Sequence, residues 1–125
     1  MIFDTDVIVW ALRHKESAIR AIDESQDRAV SVVTYLELLE GAHDKTEVRL
    51  IKSYLADLGF RFLPLSEDIG HRACVYMEEY GLSHALDWGD ALIAATVSEN
   101  AEVLLTGNRK HFAAVRDIQT RFFKP

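Results

Sequence analysis

Short apolar runs alternate along this chain with longer segments of helical periodicity, and that alternation limits the possible folds more than any other feature. Met1 to Asp4 reads as a short buried strand, followed by helix over Val7 to Arg13 and again over Glu16 to Gln26, where Ile19 and Ile22 share a stripe. "RAVSVV" is β-branched and predicts a second strand, and "YLELLEGAH" is helical as far as Gly41. "TEVRLIKSYLADLG" repeats apolar residues at Val48, Ile51, Leu55 and Leu58 and stops at Gly59. "FRFLPL" alternates but contains Pro64, which predicts a short, marginal strand. Ser66 is placed to cap a helix running through Cys74 and Met77 towards Gly81, with Cys74 expected on its buried side. "DALIAATV" is apolar all round and predicts a buried helix, "AEVLLT" a further strand and "DIQTRFF" a last one. Strands separated by helices of this length form βαβ units, whose right-handed crossovers lay helices on both faces of a parallel sheet. The expected fold is α/β: a three-layer α/β/α sandwich around a mainly parallel sheet of four to five strands, as a single domain over residues 1–125.

The composition, 49% hydrophobic and 27% charged, is that of a globular protein. No apolar run approaches the roughly 20 residues of a membrane span, and Asp4 and Asp6 interrupt the only run placed to serve as a secretory signal. Cys74 is the single cysteine, which excludes an internal disulfide and fits a reducing, cytoplasmic setting. A net charge of −6 argues against a protein that coats nucleic acid by neutralising phosphates. It leaves room for an enzyme that reaches nucleic acid through metal ions, because carboxylates gathered for cations make the total acidic.

In an open parallel sheet each strand leads into its helix at the carboxyl edge, and ligands bind there, where the strand order reverses. Three such junctions carry acids in this chain. The first strand ends in Asp4-Thr5-Asp6, the second runs into Thr34-Tyr35-Leu36-Glu37, and the buried helix opens with Asp87-Trp88-Gly89-Asp90. The fourth strand ends at Thr106-Gly107-Asn108. Each group also has a structural reading. Asp6 suits an N-cap, Thr34 with Glu37 matches a capping box, Asp87 suits the N-cap of the apolar helix, and Asp90 then falls in the first turn. Glu40 belongs to a solvated helix face. The joint location of these groups at one edge is a stronger signal than any one of them.

"IFDTDV" resembles the first motif of the haloacid dehalogenase phosphatases, and "VLLTGN" their second. That chemistry needs a later lysine and a further acidic motif, whereas the 19 residues after Thr106 hold one acid, Asp117. A phosphorylated receiver domain would place a phosphoacceptor Asp at the end of a central strand and a lysine at the end of a late one. No strand here ends in a mid-chain Asp, and Lys110 is not at a strand end. The whole chain instead resembles a PIN domain of the short kind that serves as VapC-type toxins. The resemblance rests on "FDTDVIVWAL", "SVVTYLELLEGA", "DALIAATV" and "LLTGNRKHF", in that order. It implies a metal-dependent endoribonuclease, the toxin of a toxin–antitoxin pair, with Asp4, Glu37 and Asp90 matching the family's three main acids. At the fourth acidic position, in the segment after the fourth strand, many relatives carry Asp where this chain has Thr106, Asn108 and His111; Asn108 can give a neutral oxygen to a metal-bound water but cannot act as a base. Asp87 or Asp6 is placed to compensate.

Such a nuclease would use one or two Mg2+ or Mn2+ ions, which are hard and take oxygen ligands. Asp4 and Asp90 are expected as direct ligands, and Glu37 as a ligand to a second ion or as the group orienting the attacking water. Thr5 and Thr106 are placed to hydrogen-bond a carboxylate or a phosphate oxygen, and Arg109 and Lys110 to meet substrate phosphate or solvent. His111 and Phe112 are expected to dock the final loop, Trp10 and Trp88 to be core or interface aromatics, and the five histidines show no ligand spacing for zinc. The alternative function is a catalytically degenerate interaction protein whose acids are caps. By resemblance the partners are RNA, a cognate VapB-like antitoxin and a second copy of the chain in a homodimer, with no membrane involved. The amphipathic stretches Val7 to Arg13, Glu16 to Gln26 and Val48 to Leu58 are candidates for the antitoxin groove.

Overall fold

A computed structural model describes all 125 residues. The chain runs β1 (Ile2–Phe3), α1 (Thr5–Leu12), α2 (Glu16–Asp23), β2 (Ala29–Ser31), α3 (Val32–Glu40), α4 (Lys45–Asp57), β3 (Arg61–Leu63), α5 (Glu67–Tyr80), α6 (Trp88–Glu99), β4 (Val103–Thr106), α7 (Arg109–Phe112) and β5 (Gln119–Phe122). The five strands form one sheet in the order β3-β2-β1-β4-β5, and every pairing is parallel. The order reverses between β1 and β4, paired through Ile2 with Leu104 and Phe3 with Leu105. No helix is long and apolar enough to cross a membrane.

Strand alternation divides the core between the two faces of the sheet. Ile2, Ala29 and Leu104 join a cluster with Ile69, Ala73 and Tyr76 of α5 and Ala91, Ala94 and Ala95 of α6. Their neighbours Phe3, Val30 and Leu105 join a second cluster with Val7 and Ile8 of α1, Ile22 of α2 and Leu55 of α4. Parallel strands buried on both faces read as unbroken apolar runs, as the sequence of β4 does. The helix α6, with seven of its twelve residues buried, packs against both α5 and β4, as its all-round apolar sequence predicts. The expected three-layer arrangement and parallel sheet are therefore present, with five strands.

Several local expectations need correction. The N-cap of α1 is Asp4, not Asp6: the helix starts at Thr5, immediately after β1, and the Asp4 carboxylate accepts the Thr5 N–H. The N-cap of α3 is Ser31, whose hydroxyl accepts the Val33 N–H. Val32 and Val33 thus belong to the helix despite their strand propensity, and Thr34 with Glu37 is no capping box. Cys74 is exposed, because the stripe that α5 turns to the core is Ile69, Ala73 and Tyr76. The predicted caps Ser66 and Asp87 are both in place. Gly59, at a φ of +69°, turns the chain from α4 towards β3, a left-handed conformation that favours glycine.

Candidate active site

The reversal point between β1 and β4 brings the predicted acids to one place. Asp4 leaves the end of β1 with only 5% of its surface exposed. One of its oxygens accepts the Thr5 N–H at 2.8 Å and the other accepts the hydroxyl of Thr106, the last residue of β4, at 2.7 Å. The Thr106 oxygen in turn accepts the Asn108 N–H at 2.9 Å, which ties the β4–α7 turn to the same group. Asp6, in the first turn of α1, accepts the Gly107 N–H at 2.9 Å. A Cβ at residue 107 would stand 2.6 Å from that Asp6 oxygen, so this close approach requires glycine. The other oxygen of Asp6 is buried and has no hydrogen-bond partner.

Glu37 reaches the site from α3 and accepts the Thr5 hydroxyl at 2.6 Å, with the Thr34 hydroxyl oxygen 3.0 Å from that of Thr5. Asp87 caps α6 by accepting the Asp90 N–H at 2.8 Å, which turns Asp90 into the site from the helix's first turn. A carboxylate there is favoured by the helix dipole. The Asp90 carboxylate lies 2.8 Å from Nδ1 of His111, and the Asn108 amide nitrogen lies 2.7 Å from the same ring nitrogen. Nδ1 carries at most one proton, so it either donates to Asp90 or accepts from Asn108, and the two contacts compete.

Asp4, Asp6, Glu37, Asp90 and Asn108 all border one open cleft of about 350 Å3, together with Thr5. Asp87 borders an adjoining hollow of about 270 Å3 that shares Glu37 with the cleft, and Thr106 lies behind Asp4, fully buried. Burial, and after it the charge of Asp6, pushes Asp4 up to about 7 against the opposing Thr106 and Thr5 hydrogen bonds. Burial and then the charge of Asp87 push Asp90 up to about 6, with His111 pulling the other way. Asp6 is also raised by burial, opposed by the Gly107 N–H. Each acid is thus held where its ionised form is disfavoured.

The donor set suits a hard cation. It consists of carboxylate oxygens, one of them buried and unpaired on Asp6, and a positive charge would relieve the burial penalty on Asp4 and Asp90. No three His, Cys, Asp or Glu side chains stand close enough together to hold an ion, and Thr5, Thr106, Gly107 and His111 each contact one of the carboxylates. Taking up an ion therefore requires side-chain adjustment.

Three neighbours of the site were assigned differently, or not at all, from the sequence. His111, expected to dock the last loop, contacts Asp90, while Phe112 does the docking, fully buried in the first core cluster. The signal available was the three-residue spacing of Asn108 and His111, which puts both on one turn. Arg13 borders the cleft from the end of α1 and carries no motif that marks it. Trp88, expected as core or interface, is 70% exposed at the start of α6, beside Asp87 and Glu37 in the adjoining hollow.

A family model described as PIN domain matches residues 1–118. Among solved structures, the chain is similar to a toxin–antitoxin complex from Klebsiella pneumoniae, with a TM-score of 0.80 and 26% identity over 96% of this chain and 94% of that one. It is also similar to VapBC2 from Rickettsia felis bound to a DNA fragment from its promoter, with a TM-score of 0.81 and 19% identity over 99% and 100% of the two chains. A third relative is FitAcB from Neisseria gonorrhoeae, with a TM-score of 0.74 and 24% identity over 99% and 96%. A search of curated proteins by sequence finds no significant match.

Proposed function

Since this chain belongs to the PIN domain family, we propose that it is a metal-dependent endoribonuclease acting as the toxin of a toxin–antitoxin pair. The observation that carries this reading is the convergence of Asp4, Glu37 and Asp90 on one cleft at the switch point of the sheet. Acids 86 residues apart in sequence share a site where burial raises the pKa of both Asp4 and Asp90. That arrangement has little use in a protein that needs only helix caps.

Asp4 and Asp90 are the proposed ligands of Mg2+ or Mn2+, with Glu37 completing the site or holding a second ion. A bound divalent cation would supply an acidified water and positive charge for the scissile phosphate. The chain's own residues do the rest. The Thr106 hydroxyl fixes the Asp4 carboxylate, Thr5 holds Glu37 at the cleft wall, and His111 steadies Asp90 when its Nδ1 carries the proton. Of the four carboxylates lining the cleft only Glu37 is exposed, and it is the group best placed to orient a water. Asn108 fills the fourth acidic position as a neutral group, and Asp6, with its unpaired buried oxygen, is the better candidate to add charge.

For the antitoxin, the chain offers an apolar groove of about 400 Å3 between α1, α3 and α4, lined by Val9, Leu12, Leu38, Leu50 and Ile51. Glu37 and Arg13 border both this groove and the acidic cleft, so a segment lying in the groove reaches the site directly. α1 and α4 contribute as the amphipathic sequence suggests, whereas α2 does not border the groove and α3 does. The similarity to chains solved in a toxin–antitoxin complex and in VapBC2 supports this reading. The homodimer is part of the same proposal.

The present separation of the carboxylates favours one rival, a degenerate interaction protein. Expression in cells with and without Asp90→Ala, followed by mapping of new RNA ends, separates the two. The nuclease produces ends in the wild type that vanish in the variant and, with purified protein, in chelator. Identical RNA ends and growth in both strains would leave the interaction protein.

A further inference from the structure

A cleft lined by four carboxylates must still admit a polyanion, and only one cation borders it. Arg13 follows α1 as its C-cap, its N–H bonded back to carbonyls of that helix, with the side chain exposed. Its surroundings favour an ion pair, yet it makes none, although Asp4, Asp6, Glu37 and Asp90 border the same cleft. Arg20, Arg61 and Arg72 are held in ion pairs, Arg28 by backbone carbonyls and Arg109 over the Phe122 ring, while Arg116 and Arg121 do not border the cleft. The planar guanidinium offers paired donors that match a phosphate, where the compact lysine ammonium does not.

Resting on the nuclease reading, we propose that Arg13 anchors a phosphate of the RNA strand next to the one that is cut, and so sets the direction in which the strand leaves the cleft. Arg13 also borders the groove beside α4. The anchored strand therefore runs from the acids across the end of α1 towards that groove, so substrate and any groove-filling partner compete for the same guanidinium. A positive charge at a helix C-terminus also favours the helix dipole, so the test must separate a gain in stability from a grip on substrate.

Steady-state cleavage of single-stranded RNA by wild type, Arg13→Gln and Arg13→Lys, over a range of salt concentrations and with melting curves alongside, makes that separation. Arg13→Gln should raise KM about tenfold with kcat changed less than about twofold, the loss expected for one charge-assisted contact. The slope of log(kcat/KM) against log[salt] should flatten by about 0.7, the value for one single-strand phosphate contact. Arg13→Lys should restore the salt slope and only part of the affinity and melt like wild type, while Arg13→Gln should melt only slightly lower, by the small loss of positive charge at the end of α1. A wild type that cuts RNA beside an Arg13→Gln variant of equal KM and salt slope overturns the proposal and leaves the nuclease reading standing. A fall in kcat alone, or loss of antitoxin binding alone, overturns it equally. A wild type that cuts no RNA overturns both.

Discussion

The Asp4 carboxyl is the residue on which the acidic cleft turns, and its protonation gives the clearest solution signature. In the unfolded chain it ionises near its ordinary value of 3.8, whereas in the fold burial and the neighbouring Asp6 hold the proton up to about 7. Its contribution to stability is therefore complete below about pH 4 and is lost as the pH rises through about 7. Asp90, raised to about 6, adds to the same trend over a narrower range. Chelator-treated protein should melt at least about 5 °C lower at pH 8 than at pH 5. Stabilisation by millimolar Mn2+ should grow over the same interval as the ligands lose their protons. Asp4→Asn should flatten most of the chelator-treated profile and abolish most of the Mn2+ effect. Thr106→Val should move the midpoint further upward, because the lost hydroxyl favours the ionised carboxylate. A flat wild-type melting profile would show that burial at Asp4 is relieved in some other way. None of this electrostatics could be read from "FDTDV", where Asp4 and Asp6 look alike. The difference between them is one residue of helix start, and it decides which acid caps α1 and which accepts the Gly107 N–H.

Among the elements, α6 shows most directly how one segment serves fold and site together. Its apolar body was legible as a buried helix because no face of "ALIAATV" is polar, and Asp87 was legible as its cap. The start of α3 was not legible, because Val32 and Val33 favour strand, and it takes the Ser31 cap and packing of Val33 into the first core cluster to put them in the helix. Likewise the apolar faces of α5 are decided by which stripe meets α6, and Cys74 lost that competition to Ala73 and Tyr76. The double role of Asp87 can be taken apart by substitution. Asp87→Ala removes both cap and charge and should cost about 1 kcal/mol of stability. Asp87→Ser keeps a capping oxygen, so it should melt close to wild type. It also removes the charge that raises Asp90, so the Asp90 midpoint, followed by carboxyl NMR in chelator, should fall below about 6. Equal Asp90 midpoints in Asp87→Ser and wild type would contradict that assignment. In the core of the same helix, Ile93 is 1% exposed, and Ile93→Ala should cost about 2–5 kcal/mol in denaturant unfolding.

For the molecule as a whole, the order β3-β2-β1-β4-β5 converts distant sequence into one edge, and this was legible because strand–helix alternation alone dictates where loops collect. The groove beside the cleft was legible only in part, since periodicity marks the apolar faces of α1, α2 and α4 without saying which of them remain uncovered. Packing settles that. Ile22 of α2 is spent in the second core cluster, whereas Leu50 of α4 is left 61% exposed at the groove, where Val9 and Leu12 of α1 meet Leu38 of α3. A large aliphatic side chain left in water beside an open apolar groove favours a partner that covers it. Leu50 makes no contact that holds α4 in place, because Ile51 and Leu55 are the buried positions of that helix. Leu50→Arg should therefore melt within about 1 °C of wild type, as exposed substitutions generally do. It should also still cut RNA in chelator-sensitive fashion, because Leu50 does not border the acidic cleft. The introduced charge would be desolvated without a partner if an apolar antitoxin segment filled the groove, so binding should weaken at least about a hundredfold. Co-expression with the antitoxin should then rescue growth for the wild type and fail to do so for Leu50→Arg, while tagged antitoxin should retain only the wild-type chain. Rescue and co-purification equal to wild type would move the antitoxin to another face of the molecule, and the exposed Leu36 and Trp88 beside the site would be the next place to look.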